Sequence, residues 1–359
     1  MADLDRSDAV ADRAASHEAA GVLARATGAL LGLAIGDALG MPTQLMTRAE
    51  VVARFGGLLE KLEPAGPEHP VAAGLLAGTV TDDTEQMVLL AQMLVEGHGQ
   101  VDPAAWARAL QDWEADMVRR GSADLLGPST RRALRAVAAG TPPEEAGVHG
   151  DTNGAAMRIA PVGVAVPLTD TDRLVATVVG VSRVTHGTDV ALGGAGAVAA
   201  AVSAGVSGAD VAAATAAAVR VAPLAAAWGR VTDAPRLQDL VTRAVDLVGG
   251  LAAADAVDTI VEQVGTGLAT TESVPAAFAV LAVHPDDPWA ACRLAASLGG
   301  DSDTIAAMVG AVAGACSGPA AFPPEVRATV MEINRLPLDA LARGLVDLRR
   351  RVAPAGDEP

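Results

Sequence analysis

Long runs of Ala, Val and Leu, interrupted by Gly and Pro, restrict the fold class of this chain more than any other feature. Small residues recur at the spacing of helix turns, and no stretch alternates in polarity for long enough to predict a strand. Gly and Pro clusters separate the runs and predict helix stops or connectors. The sequence therefore predicts an all-α fold. Helices are expected over residues 20–39, 83–96, 104–119, 172–184, 189–204, 210–220, 236–248, 253–264, 289–298, 304–315 and 337–351.

The apolar runs follow one another without a long polar linker, which predicts a single compact domain. The chain has 359 residues, of which 51% are hydrophobic, and this is ample material for one large core. We expect the domain to span 16–352, after a flexible N-terminus at 1–15 and before a flexible tail at 353–359.

Charge excludes one class of partner. The net charge is −17 and Lys61 is the only lysine, so the clustered basic residues that bind a nucleic acid backbone are missing. The first twenty residues contain no continuous apolar stretch, which argues against a secretory signal. Residues 190–208 carry no charge, but they are mostly Ala and Gly and predict a packed core helix, not a membrane span. Cys292 and Cys316 are expected to be reduced packing residues, which favours a cytoplasmic location.

Two acidic clusters, Thr81-Asp82-Asp83-Thr84 and Asp301-Ser302-Asp303-Thr304, each precede an apolar run. Carboxylates and hydroxyls are the oxygen ligands that Mg²⁺, Mn²⁺ and Ca²⁺ require. Helix capping is the alternative, since Asp and Thr are favoured N-caps and Glu85 after Asp82 resembles a capping box. One cap needs only one side chain, however, and four gathered carboxylates without a cation would be costly. The clusters therefore favour a site for divalent cations.

Three further segments contain candidate functional residues. Gly28, Gly32 and Gly36 are spaced four apart and allow another helix to approach closely. Asp37 follows them inside an apolar helix, where an acid is costly unless it is paired or hydrogen-bonded. A polar loop at 150–158 enters an apolar segment, and His186 ends a helical stretch as either a cap or a functional group.

The order of these motifs resembles the ADP-ribosylglycohydrolase family over about residues 22–322. The matching segments are Gly-Asp-Ala-Leu-Gly at 36–40, Thr-Asp-Asp-Thr at 81–84, Asn-Gly-Ala-Ala-Met-Arg at 153–158, Thr-His at 185–186 and Gly-Gly-Asp-Ser-Asp-Thr-Ile-Ala-Ala at 299–307. Each motif alone is weak, but five in the right order make the resemblance strong.

The resemblance implies a helical domain whose cleft holds two Mg²⁺ or Mn²⁺ ions. These would grip ribose hydroxyls and activate a water that cleaves an N- or O-glycosidic bond at C1. The implied substrate is an ADP-ribosylated protein; a small nucleotide, nucleoside or NAD-derived metabolite is the alternative, and a catalytically silent ADP-ribose-binding protein is a third. The implied metal ligands are Thr81, Asp82, Asp83, Asp301, Asp303 and Thr304, and the implied substrate contacts are Asn153, Gly154, Met157, His186 and Asp37.

The chain departs from the family pattern in two places. Gln44 stands where most members have a glutamate that meets the metal site or activates water, and an amide cannot accept the proton of a water. The base could then be Asp151, which is the first choice, a metal-ligating aspartate such as Asp303, or the activated water itself. The chain also has no Tyr, and Cys316 follows Gly-Ala where members commonly have one. Recognition of the distal ADP portion is therefore expected to be altered.

Overall fold

Helices make up the regular secondary structure of residues 2–121 and 126–352, which are the residues that the computed structural model describes. No strand occurs in those ranges; the extended contacts there are isolated bridges, Thr152 with Ala269 and Thr188 with Arg230. The all-α prediction is therefore confirmed. The helices are α1 Ala2–Gly40, α2 Arg48–Phe55, α3 Asp82–Glu96, α4 Pro103–Arg120, α5 Pro128–Ala138, α6 Pro143–Ala146, α7 Gly154–Met157, α8 Ala160–Ala165, α9 Thr171–Ser182, α10 Asp189–Val206, α11 Val211–Ala226, α12 Leu237–Val248, α13 Ala253–Thr259, α14 Thr270–Val283, α15 Pro288–Ala296, α16 Ser302–Ser317, α17 Pro324–Asn334 and α18 Leu338–Val352.

Every predicted helix is found, but several boundaries differ and some helices are missed. Helix α11 continues through Pro223 to Ala226, and α13 passes into a π-helical segment at Ile260–Val264. Helix α14 is missed although it is long and buried, because Pro275 interrupts its apolar pattern. Helix α1 extends back to Ala2 through the residues predicted to be flexible. A helix assignment does not measure mobility, so flexibility of 1–15 stays a prediction, and the tail at 353–359 lies outside the described residues.

Helices α1 and α16 form the centre of the domain and approach at the distance of backbone contact. A Cβ atom added to Gly28 would lie 2.2 Å from the carbonyl oxygen of Gly314, and one added to Gly32 would lie 2.1 Å from that of Gly310. One added to Gly36 would lie 1.9 Å from the carbonyl oxygen of Ala306. Close helix approach at this glycine face is therefore confirmed. The contact also fixes the end of α1 against the start of α16.

Helix α10 is a core helix, as the sequence predicts. Each of its residues from Val190 to Val206 is buried, and it packs against α8, α11 and α16. Two helical stretches, Glu18–Thr43 and Asp189–Val206, are long and apolar enough to cross a membrane, and 94% of the second is buried inside the protein. Cys292 and Cys316 are both free thiols, which agrees with their predicted reduced state.

Candidate active site

One cleft collects most of the residues that the sequence singles out. It encloses about 630 Å³ including its open mouth. Three carboxylates line it together with neutral polar groups, glycines and aliphatic side chains. The lining residues are Gln44, Leu45, Val71, Asp82, Leu126, Gly127, Pro128, Thr130, Thr152, Asn153, Gly154, Met157, His186, Leu268, Asp301, Asp303 and Thr304.

The acidic clusters lie at the starts of α3 and α16, as predicted, and capping explains only part of them. The Thr81 hydroxyl accepts a hydrogen bond from the Asp83 N–H at 3.4 Å and so caps α3. Asp301 occupies the N-cap position of α16 without making a side-chain cap bond. Glu85 does not complete a capping box, because its carboxylate binds Arg120 and Trp113 instead. The remaining carboxylates are therefore available for another function.

Asp37, Asp83 and Asp303 form the centre of the acidic cluster. Each offers one carboxylate oxygen, and these three atoms lie within 4.8 Å of one another. Asp37 is 0% exposed and accepts hydrogen bonds from the backbone and hydroxyl groups of both Thr81 and Thr84. It is absent from the described lining of the cleft. The carboxylate of Asp37 therefore supports the start of α3 through those four donors, and its direct contact with substrate stays a prediction.

Two oxygen atoms in this cluster have no partner among the residues that the structure describes. Oδ1 of Asp83 and Oδ1 of Asp303 are buried without a hydrogen bond from a described residue. Burial, and then the charges of neighbouring aspartates, hold the pKa values of Asp82, Asp83 and Asp303 well above the usual range. Burial raises the pKa of Asp301 to about 6. Unpaired, mutually repelling carboxylate oxygens are the donor set that fits a divalent cation.

Because of these raised pKa values, we expect the metal-free protein to lose stability as pH rises. Above the ordinary carboxyl pKa of 3.8, the unfolded chain releases protons that the folded chain keeps. The free energy of folding therefore becomes less favourable as pH rises from 3.8 through about 6 and beyond. Mg²⁺ should raise the melting temperature, and more at pH 8 than at pH 5, since cations bind the ionised form. Differential scanning fluorimetry after EDTA treatment measures both effects. An equal rise with NaCl at the same ionic strength would contradict specific binding.

Asn153 and Gly154, both predicted substrate contacts, line the cleft and also position other groups. The Asn153 amide donates to a carboxylate oxygen of Asp301 and, at 2.9 Å, to the hydroxyl of Ser273. A Cβ atom on Gly154 would lie 2.8 Å from Cε1 of His186, so this glycine leaves room for the imidazole. Met157 and His186 line the same cleft. All four lie where a substrate could reach them, and their direct contact with substrate stays a prediction.

Gln44 lies in the cleft wall, whereas Asp151 does not. The Nε2 of Gln44 is buried without a described partner, and the next residue, Leu45, adopts a left-handed backbone with φ 62°. Asp151 is exposed and absent from the described lining, and its backbone carbonyl accepts a hydrogen bond from the Thr270 hydroxyl at 2.8 Å. A general base must reach the proton that it abstracts. Asp303 lies in the cleft wall and Asp151 lies next to Thr152 of that wall, and the choice of either as the base stays a prediction.

Arg158 lies beside the site and was not predicted from the sequence as a functional residue. It is 1% exposed, and its guanidinium lies over the Trp106 ring at 5.3 Å. It donates to the side-chain oxygen of Gln86 and, at 2.6 Å, to the hydroxyl of Thr185. Gln86 in turn donates to Asp82 at 3.3 Å. The sequence did contain both residues in recognisable motifs, since Arg158 ends the polar loop and Thr185 precedes His186. The hydrogen bond between Arg158 and Thr185, however, is a tertiary contact that the sequence does not indicate.

Residues 18–355 match the model of the family described as ADP-ribosylglycohydrolase. The chain belongs to this family. It is 35% identical over 331 residues to the uncharacterized protein YegU of Escherichia coli (strain K12), covering 91% of this chain and 98% of that one. It is 30% identical to the ADP-ribosylarginine hydrolase Tri1 of Pseudomonas putida (strain GB-1), covering 84% and 73%. A solved ADP-ribosylglycohydrolase-related protein complex aligns with a TM-score of 0.67 at 28% identity, over 91% of this chain and 98% of the other. Members of the family are ADP-ribosylhydrolases, and the chain is a glycosidase-type hydrolase.

Proposed function

We propose that the cleft hydrolyses the N- or O-glycosidic bond at C1 of a ribose and removes ADP-ribose from a modified protein side chain. The observation that carries the proposal is the pair of buried, unpartnered oxygens on Asp83 and Asp303 beside this cleft. Family membership supports the reaction class, and the similarity to an ADP-ribosylarginine hydrolase supports a protein substrate.

The acidic residues fit the two Mg²⁺ or Mn²⁺ ions of the proposal. Asp82, Asp301, Asp303 and Thr304 would hold them from the cleft side, and Thr81 and Asp83 from the helix start behind it. When bound, the cations supply Lewis acidity to the ribose hydroxyls and to the attacking water.

The side chains around the carboxylates orient the reacting groups. Asn153 fixes the carboxylate of Asp301 through its amide N–H, so that this oxygen keeps one direction. The carboxylates also place negative charge where positive charge develops on the ribosyl group in an oxocarbenium-like transition state. Asp303 also lines the cleft, and the carboxylate oxygen that does not bind a cation could accept a proton from the attacking water.

A small ribosylated metabolite is the second candidate substrate. Among the described residues that line the cleft there is no Lys, Arg, Phe or Trp. Cationic and aromatic side chains are the usual partners of a diphosphate and an adenine ring. A wall without these partners for a diphosphate and an adenine ring suits a compact N-riboside as well as it suits ADP-ribose on a protein side chain.

Product analysis separates the candidates. The purified protein is incubated with Mg²⁺ or Mn²⁺ and, in parallel, with an ADP-ribosylated protein and a panel of N-ribosides. Release of free ADP-ribose from the protein supports the main proposal, and free ribose from a riboside supports the second. If no product appears while ADP-ribose still binds, both enzymatic proposals fail and the chain is a binding protein.

We expect Gln44→Glu to raise the hydrolysis rate about tenfold or more. A carboxylate at this position of the cleft wall could accept the proton of water, and the neighbouring acidic residues would tune its pKa towards neutrality. The measurement is kcat under saturating metal, with the exposed Gln100→Glu as the control for added negative charge. A lower rate than that of the parent protein would show that the site is adapted to the amide.

A further inference from the structure

We propose that Arg158 and Thr185 hold His186 as a neutral imidazole with its proton on Nε2, and that this N–H sets Thr152 to donate a hydrogen bond to the substrate. Arg158 and Thr185 are then positioning residues, and Thr152 is the group that contacts an oxygen or nitrogen lone pair of the substrate. The substrate contact rests on the proposed function, whereas the state of the imidazole does not.

The direction of each hydrogen bond follows from Arg158. A guanidinium only donates, so the Thr185 hydroxyl oxygen accepts from it at 2.6 Å. The hydroxyl proton of Thr185 must then go to another acceptor. Nδ1 of His186 lies 2.7 Å away and the carbonyl of Ser182 lies 3.5 Å away. The shorter contact has the geometry of a normal O–H donor, so Nδ1 is an acceptor and the proton of a neutral ring is on Nε2.

The chain of hydrogen bonds continues from His186 to the cleft. Nε2 of His186 lies 3.0 Å from the Thr152 hydroxyl oxygen, which accepts a hydrogen bond from the Nε2–H. Thr152 must therefore direct its own hydroxyl proton elsewhere, and the described residues supply it with no second side-chain acceptor. Thr152 is half-buried and lines the cleft. Its hydroxyl is thus a donor that faces the space where a substrate binds.

The surroundings of His186 favour the neutral ring and leave it little freedom. Burial, and then the charges of Arg158 and Arg132, hold the pKa of His186 well below its usual range. Gly150 and Gly154 leave space for this segment because they have no side chain. A Cβ atom added to Gly150 would lie 2.1 Å from the carbonyl oxygen of Thr185, and one added to Gly154 would lie 2.8 Å from Cε1 of His186. A buried imidazole that stays neutral serves here as a fixed donor, not as a proton-transfer group.

Arg158 also connects this wall to the acidic cluster. Its second donor group binds Gln86, whose amide donates to Asp82. One guanidinium therefore orients both a cleft carboxylate and the Thr185–His186–Thr152 chain. Arg158 is fully buried and lies over the Trp106 ring, so packing within the protein holds its guanidinium in place.

The state of the imidazole is tested without substrate, by long-range ¹H–¹⁵N correlation spectra of the full chain. The chain has six histidines, and the signals that disappear in His186→Gln belong to His186. We expect a protonated Nε2 and an unprotonated Nδ1 from pH 6 to 8. Thr185→Ser should keep this pattern and Thr185→Val should lose it. A wild-type ring protonated on Nδ1, or on both nitrogens, would overturn the proposal.

Two pairs of variants test the role of the donors. In His186→Gln the side-chain amide reaches the position of Nε2, so we expect its hydrolysis rate to stay within about tenfold of the parent rate. In His186→Asn the shorter amide does not reach that position, and we expect a hydrolysis rate at least about tenfold below that of His186→Gln. Equal loss in both would indicate proton transfer by His186 and would overturn the donor role. Thr152→Val should weaken ADP-ribose binding, measured by calorimetry, about tenfold, and Thr152→Ser should preserve it. Unchanged binding in Thr152→Val would refute the substrate contact even if hydrolysis were never observed.

Discussion

Replacing Asp303 with asparagine will abolish hydrolysis and, at the same time, make the metal-free protein more resistant to heat. Asn keeps the shape of the side chain but removes the charge of a carboxylate whose Oδ1 has no partner in the described part of the chain. Weaker cation binding removes several kcal/mol of transition-state stabilisation, which corresponds to a loss of roughly 10³-fold in kcat. The repulsion between Asp303 and Asp83 also disappears, so the metal-free melting temperature should rise by about 1–3 °C.

These opposite effects distinguish a ligand from a structural aspartate. Activity is measured with excess Mg²⁺ or Mn²⁺, metal uptake by calorimetry, and melting by fluorimetry in EDTA. Asp286→Asn is the control, because Asp286 is exposed and the substitution makes the same chemical change. We expect that variant to match the parent in all three measurements. If Asp303→Asn still bound metal with parental affinity, the assignment of Asp303 as a ligand would be wrong.

The helices were predictable because their information is local. Ala-rich runs bounded by glycine or proline appear in the sequence itself, and the residues of α10 and α16 follow that pattern. Helix α14 was missed because Pro275 interrupts its run, although burial on all sides stabilises it in the fold. The glycine face of α1 was also readable, but its partner on α16 was not, since nothing in the sequence names the facing helix.

The site was predictable only as far as residue type indicates chemistry. Aspartates at two helix starts were recognisable because so many carboxylates exceed what capping requires. The direction of a side chain was not recognisable: the sequence did not indicate that Asp151 is exposed or that Asp37 accepts hydrogen bonds from Thr81 and Thr84. The pairing of Arg158 with Gln86 joins positions 72 residues apart, so it depends on the tertiary fold.

Gly36→Ala should unfold the domain or destabilise it by about 3 kcal/mol or more. The added methyl carbon would lie 1.9 Å from the carbonyl oxygen of Ala306 and 2.4 Å from its carbonyl carbon, and neither backbone atom can rotate away. Helices α1 and α16 would have to separate, which would also move Asp37 and Asp303 at their ends. Chemical denaturation followed by circular dichroism measures the loss, and gel filtration detects aggregation.

Gly180→Ala provides a matched control for this prediction. Gly180 lies in α9, and a Cβ atom there would meet nothing within 4 Å. Alanine is the better helix former by about 1 kcal/mol, so this variant should be as stable as the parent or more stable. The same substitution is therefore expected to lower the free energy of unfolding at position 36 and to keep or raise it at position 180, because only Gly36 faces the backbone of another helix. If Gly36→Ala were as stable as Gly180→Ala, the close packing of α1 against α16 would be wrong, and with it the placement of Asp303 beside Asp37.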